Sequence, residues 1–185
     1  MTKADLRKSA KQARDARVAT MSPAERCAAA IMLAERVIAE LGDAGTVAVY
    51  LPIGSEIDTL PLIDRLTTRN LRIALPHVRG RRDTMRFLAW APGDPLPEGP
   101  MGLRQPDADA PELSPDLVLT PLLAFDGALN RLGYGAGHYD RAFVVHSDAR
   151  RIGVAWDSQR VDSLPVESWD VPLDAVATET DWITA

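Results

Sequence analysis

"DLVLTPLLAFDGALNRLGYGAGHYDRAFVVH", residues Asp116 to His146, contains in one run each kind of segment from which the chain is built. "DLVLTP" (116–121) is a short apolar run of the kind that suits a central strand. "LLAFDGALN" follows as a loop. "RLGYGAGHYDR" (131–141) then sets glycines at 133, 135 and 137, and "YDRAFVVH" has the spacing of a helix of about two turns or more. "RIGVAW" (151–156) is a second apolar run soon after. A helix between two apolar strands is the crossover that joins parallel neighbours, because parallel strands cannot be linked by a tight turn.

The same alternation extends in both directions. Ser22-Pro23-Ala24-Glu25 is a capping box with proline at N1, and Ile31, Val37, Ile38 and Leu41 follow at roughly helical spacing until Gly42 closes the helix. "TVAVYLP" (46–52) reads as a buried strand, "DTLPLIDRLTTRN" as a helix, and "LRIALP" (71–76) and "MRFLAW" (85–90) as strands joined by the polar turn "HVRGRRD". The proline-rich run from Pro92 to Pro115 is a long surface loop in the position of a lid or pocket wall. "DAVAT", near the end, is a last strand. The expected fold is α/β: a single layered domain over residues 1–185, with a mainly parallel central sheet flanked by helices.

Composition limits what such a domain does. Hydrophobic residues at 46% and charged residues at 25% are the balance of a soluble globular protein, and no apolar run approaches the roughly 20 residues that span a bilayer. A net charge of −5 argues against broad nucleic-acid binding, which leaves metabolites as the expected partners. The single cysteine, Cys27, rules out an internal disulfide and fits a reducing, cytoplasmic setting. Lys3, Arg7, Lys8, Lys11, Arg14 and Arg17 imitate a transit peptide, but Asp5 and Asp15 do not suit one. The segment reads as an amphipathic first helix.

In a parallel sheet, ligands collect where loops and helix N-termini meet at the carboxyl ends of the strands. The glycine run lies at such a point. Alternating glycines let backbone approach a ligand, and amides at a helix start attract anions, so phosphate is the natural guest. A plain tight turn is the competing reading. The dinucleotide pattern fails because its third glycine position is His138, and no Gly-Lys-Ser or Gly-Lys-Thr ends a Walker loop.

"LAFDGALNRLGYGAGHYDR" resembles the signature of the 5-formyltetrahydrofolate cyclo-ligase family. "KADLRK", "YLPIGSEIDT" and "IGVAWDSQRVDSLPVESWDVPLDAVATE" match it in the same order, from near one end of the chain to near the other. The resemblance implies an enzyme that uses ATP and Mg²⁺ to close 5-formyltetrahydrofolate to 5,10-methenyltetrahydrofolate, with ADP and phosphate released. It implies small-molecule substrates only, and no nucleic acid, membrane or obligate protein partner.

By the same resemblance, Lys3, Arg7, Arg131, Gly133, Tyr134, Gly135, Ala136, Gly137, His138 and Tyr139 contact ATP, with Arg131 and Tyr139 also catalytic. Leu51, Glu56, Tyr134 and His138 line the folate pocket, and Asp140 and Asp170 hold the metal. Each residue has an ordinary alternative: a helix-start carboxylate for Asp140, a turn carboxylate for Glu56, core packing for Leu51, a solvated basic face for Lys3 and Arg7. The family's commonest loop reads Gly-Arg-Gly-Lys-Gly-Tyr-Tyr-Asp. Here Tyr134 and Ala136 replace its two basic residues, and Arg131, Lys3 or Arg7 can supply positive charge from elsewhere. A folate- or nucleotide-binding module of the same fold, impaired in catalysis, is the rival reading. Arg79, Arg81 and Arg82 are either a solvated hairpin tip or a guide for the glutamate tail of folate.

Overall fold

A computed structural model describes residues 2–185, Met101 by its backbone alone. Two helices open the chain, α1 (Lys3–Ala19) and α2 (Pro23–Ala39). Both start with a reciprocal capping box: Thr2 with Asp5, and Ser22 with Glu25, so each first turn has orphan amides satisfied by side chains. The remaining elements are β1 (Thr46–Ala48), α3 (Leu60–Thr68), β2 (Arg72–His77), β3 (Arg86–Ala89), β4 (Leu117–Pro121), β5 (Ala124–Phe125), β6 (Arg131–Leu132), α4 (His138–Val145), β7 (Arg150–Val154), β8 (Ala175–Ala177) and β9 (Trp182–Ile183), with short 3₁₀ turns at Pro100–Gly102 and Asp157–Gln159.

Seven strands form one sheet in the order β3-β2-β1-β4-β7-β8-β9. The five inner strands pair in parallel and the two edge strands antiparallel, so the expected α/β architecture is the observed one. Neighbouring residues on the inner strands feed two apolar clusters. Val47, Leu117, Leu119, Ala175 and Ala177 face α2 and α3, whereas Ala48, Val118 and Val176 face α4 and the β5–β6 hairpin. Burial on both faces explains why these strands read as continuous apolar runs without polar alternation.

Several boundaries differ from the sequence reading. The strand expected over 46–52 has ladder pairing only through Ala48, although burial continues to Tyr50. Ile31 is 41% exposed, and α2 instead buries Ala29, Ala30, Leu33, Ala34, Val37 and Ile38. Its alanines form the face that lets α3 pack closely, so methyl groups do the work assigned to a larger side chain. The loop over 122–130 contains half of the β5–β6 hairpin, and β9 follows the strand expected to be last. The proline-rich run lies along the β3 edge: Ala89 N–H donates to Pro111 O at 2.7 Å, and buried Gln105 bonds both Val78 N–H and Val78 O. Among the described residues, no helix is long and apolar enough to cross a membrane.

Gly153 stands at the centre of β7, where a β-carbon would meet Leu173 Cδ1 at 2.7 Å, Leu122 Cδ2 at 2.8 Å and Val176 Cγ2 at 3.1 Å. Gly153→Ala is therefore expected to destabilise the fold by ~1–3 kcal/mol through overpacking, read as a lower urea midpoint with an unchanged slope.

Candidate functional site

The sheet order reverses between β1 and β4. From β1 the chain leaves through α3 to β2 on one side, and it later returns beside β1 as β4 on the other. At such a reversal the loops after the two strands diverge, leaving a crevice at their carboxyl ends. Residues 50–59 follow β1 and residues 122–137 follow β4, so the glycine run and the Glu56 turn face each other for topological reasons.

The Glu56 turn is internally braced. Ile53 N–H donates to Glu56 Oε2 at 2.9 Å, Glu56 N–H donates to Ile53 O at 3.2 Å, and Thr59 Oγ1 donates to Tyr50 O at 2.7 Å. Trp156 Nε1 bonds Ser55 O at 2.9 Å. Tyr134 reaches across from the glycine run, its hydroxyl donating to Glu56 Oε1. Arg14 of α1 completes the junction, with Nη1 2.8 Å from the Tyr134 hydroxyl and 3.9 Å from Glu56 Oε1. Burial pushes the Glu56 carboxyl above its usual range, against the hydrogen bonds from Tyr134 and Ile53 and the charge of Arg14. The Tyr134 and Tyr139 phenols are both held above their usual range, first by burial and then by the Glu56 charge.

The glycine run rests on α1. Arg7 Nε donates to Gly133 O at 3.0 Å, and Gly135, at φ +92°, would bring a β-carbon within 3.1 Å of Arg7 Cζ. Gly137, at φ +68°, is the N-cap of α4 and supplies no side-chain cap, so the first amides of that helix keep their free polarity toward the loop. Arg141 Nη1 lies 2.9 Å from the position of a β-carbon on Gly137.

A second junction joins the expected metal carboxylates to two of the expected nucleotide cations. Arg131 Nη2 bonds Asp140 Oδ1 at 2.5 Å and Nη1 donates to Val171 O, while Val171 N–H donates to Asp140 Oδ1 at 3.3 Å. The guanidinium also lies 4.8 Å from the centre of the Phe143 ring. Lys3 Nζ bonds Asp170 Oδ2 at 2.6 Å and Glu167 Oε2 at 2.7 Å. Burial works against the Lys3 ammonium, but the two carboxylates outweigh it and its pKa is raised. Burial likewise opposes the Asp170 carboxylate, which the Lys3 hydrogen bond and the Glu167 N–H nonetheless hold below its usual range. All these hydrogen bonds fall on one oxygen of each aspartate; Asp140 Oδ2 and Asp170 Oδ1 have no hydrogen-bond partner among the described residues.

Lys3, Arg7, Glu56, Arg131, Gly133, Tyr134, Gly135, Asp140 and Asp170 thus fall within two linked junctions. His138 turns the other way: Arg141 Nη2 lies 3.1 Å from its Nδ1 and 3.2 Å from Asp83 O. Nδ1 also lies 3.3 Å from Asp83 O, so it faces a donor and an acceptor at once, and the tautomer sets which of the two it bonds. Burial holds His138 below its usual pKa. Leu51 packs on the larger apolar cluster, Tyr139 on Phe143 at 6.1 Å, and Ala136 is half-buried in the run itself. The tip arginines Arg79, Arg81 and Arg82 are exposed, while the Arg81 and Asp83 carbonyls accept from Arg141.

Sequence reading missed Arg14, Ser55 and the Val171 backbone. Arg14 carried a legible signal: at ~100° per residue, positions 3, 7 and 14 lie within roughly 40° of arc on one helix.

The sequence profile of the "5-formyltetrahydrofolate cyclo-ligase family" matches residues 1–179. The chain is 39% identical over 142 residues to the 5-formyltetrahydrofolate cyclo-ligase of Escherichia coli strain K12, covering 73% of this chain and 78% of that one. It is 35% identical over 141 residues to the Haemophilus influenzae protein of the same name, with 72% and 75% covered. The solved structure of Aquifex aeolicus 5,10-methenyltetrahydrofolate synthetase superposes with a TM-score of 0.77 at 29% identity, over 100% of this chain and 93% of that one.

The Arg131–Asp140 pair joins β6 to α4 with side chains only 5% and 25% exposed. Arg131→Met is expected to lower stability by roughly 2–4 kcal/mol, slightly under the range for a fully buried pair because Asp140 retains some solvent. Urea unfolding at neutral pH measures it; a loss below about 1 kcal/mol would show that the pair is not a structural joint.

Proposed function

The chain belongs to the 5-formyltetrahydrofolate cyclo-ligase family, and on that footing we propose that it converts 5-formyltetrahydrofolate and ATP to 5,10-methenyltetrahydrofolate, ADP and phosphate, with Mg²⁺ required. The formyl oxygen is a poor leaving group and its carbon a poor electrophile. Attack of that oxygen on the γ-phosphorus forms the O–P bond and releases ADP. N10 then attacks the formyl carbon, the C–O bond breaks, phosphate departs, and N10 loses its proton. The protein's task is positioning, charge neutralisation and exclusion of water.

The observation that carries this reading is the meeting of the glycine run with Glu56 through Tyr134, in a chain of this family. Glu56 is an acceptor for pterin N–H groups, with Leu51 beside it as apolar lining, and the amides from Gly133 to Gly137 face the triphosphate. Ala136, with no charge of its own, and Tyr139 continue the nucleotide side of the site, whereas His138 turns toward Asp83 and Arg141. Lys3, Arg7 and Arg131 supply the positive charge absent from the run, and Arg131 and Tyr139 are the catalytic candidates. Asp140 and Asp170 suit Mg²⁺, since each keeps one oxygen free of hydrogen bonds among the described residues and two carboxylates beside phosphate oxygens make a sufficient ligand set. The metal would neutralise charge on the phosphates. The setting is cytoplasmic and the partners are small molecules.

Mixing the protein with 5-formyltetrahydrofolate and MgATP is expected to yield the methenyl chromophore and ADP in equal amounts. Folate binding without product would instead favour a binding module of the same fold. Asp140→Asn removes one charged metal contact of about 1.5–3 kcal/mol, so the Mg²⁺ needed for half-maximal turnover should rise roughly tenfold or more. An unchanged Mg²⁺ titration would remove Asp140 from the metal site.

A further inference from the structure

Arg14 is the only charged residue among those α1 buries. Its side chain is 2% exposed and that of Glu56 4%, so a cation and a carboxylate sit together away from solvent. Taking such a pair out of water is costly, and an apolar side chain of similar size would hold a helix against a sheet equally well. The contacts of Arg14 are specific. Nε donates to Ser55 Oγ at 2.9 Å, Nη1 donates to the Tyr134 hydroxyl at 2.8 Å, and the guanidinium carbon lies 5.9 Å from the centre of the Tyr134 ring. Ser55 Oγ in turn donates to Asp15 Oδ1 on the next residue of α1. One guanidinium therefore spans the Glu56 turn and the glycine run, fixed at its rear by Asp15 and Ser55.

The groups around Glu56 leave Arg14 in a distinctive position. Tyr134 comes from the glycine run, Tyr50 from the end of β1 and Tyr139 from the start of α4; all three are phenols held neutral by burial and by the Glu56 charge. Asp15, a second acid, reaches the cluster only through Ser55. Arg14 is the cation that faces the Glu56 carboxylate.

We propose that Arg14 is a positioning residue for the ligand that binds at Glu56: it presets Glu56 as a charged acceptor and docks the Tyr134 hydroxyl on one of its oxygens. The ligand class is a heterocycle with two adjacent N–H donors, as the aminopyrimidinone edge of a pterin has, and to that extent the assignment rests on the function proposed above. Arg14 acts through Glu56 and Tyr134 and does not itself touch the reacting atoms.

The sign of the expected pH effect follows from burial. Burial already raises the Glu56 pKa, and Arg14 opposes that rise. Removing the guanidinium moves the carboxyl further up, so it takes its proton at a higher pH than in the parent and then no longer accepts through both oxygens. Below its midpoint, affinity for a ligand that needs the carboxylate falls about tenfold per pH unit.

The test uses the full chain and the variants Arg14→Gln, Arg14→Met and Arg14→Lys. Calorimetric titration with 5-formyltetrahydrofolate, without nucleotide, between pH 5.5 and 8 is expected to show Kd weakening with falling pH from a higher pH in Arg14→Gln than in the parent protein or Arg14→Lys. The ratio of the Arg14→Gln Kd to the parent Kd should grow as pH falls from 8 to 5.5, by up to about tenfold per pH unit. A ligand-free reading accompanies it: the ¹³C resonance of the Glu56 carboxyl should titrate at higher pH in Arg14→Gln than in the parent. Arg14→Met, which replaces a buried cation with an apolar chain, carries the same test should the glutamine variant not fold. An unshifted Glu56 titration, with binding weakened equally at every pH, would overturn the proposal and leave Arg14 a structural residue. A parent protein that does not bind 5-formyltetrahydrofolate would sink the functional reading, while the carboxyl titration would still judge Arg14.

Discussion

Parallel pairing between β1 and β4 is the constraint on which the rest of the molecule depends. Neither strand can be joined to its neighbour by a hairpin, so each must end in a segment that leaves the sheet at the same carboxyl end. Because the chain runs outward in opposite directions from this pair, those two segments are left facing each other. Asp116 secures the register from the other end: its Oδ2 accepts from Gly45 and Thr46 N–H, both at 2.9 Å, where the two strands begin. The Glu56 turn and the glycine run are neighbours because of this topology, and their side chains refine a proximity already imposed.

Within that frame, the two junctions divide the polar work. One joins Arg14, Tyr134 and Glu56; the other joins Arg131, Asp140, Val171, Lys3 and Asp170. A glycine run without basic residues of its own is surrounded by cations from elsewhere, Arg7 against Gly133 and Gly135, and Arg14 against Tyr134. Charge that a loop would carry on flexible side chains is here mounted on a helix. A helix holds its side chains at fixed intervals, so these guanidiniums approach the loop from one direction only.

Sheet class and helix starts were legible in the sequence because they depend on local signals: apolar runs of strand length, and Ser22 three residues before Glu25. The β5–β6 hairpin was not, since two-residue strands leave no periodicity to detect. What shapes it is Asp126, buried, with its carboxylate accepting from Ala128, Asn130 and Leu164 N–H and the Asn130 amide, while Leu129 sits at φ 60°. That turn sets Arg131 opposite Asp140. The site residues drawn from the glycine run and the Glu56 turn do converge, whereas the orientation of His138 toward Asp83 depended on a hairpin whose docking no local pattern encodes. Arg14 was passed over because a basic residue on a lysine-rich helix looks solvated until its partners are known.

The attachment of α1 follows from the same arrangement. Val18 is its one buried apolar residue, and otherwise the helix is fastened by Lys3, Arg7 and Arg14 through hydrogen bonds and ion pairs. An element with one buried apolar anchor forms its own unit of local opening, although its buried ion pairs are screened little by salt. Any ligand clasped between this helix and the loop would return its binding free energy as slower amide exchange along residues 3–19, so occupancy of the loop would be written into the amino-terminal helix.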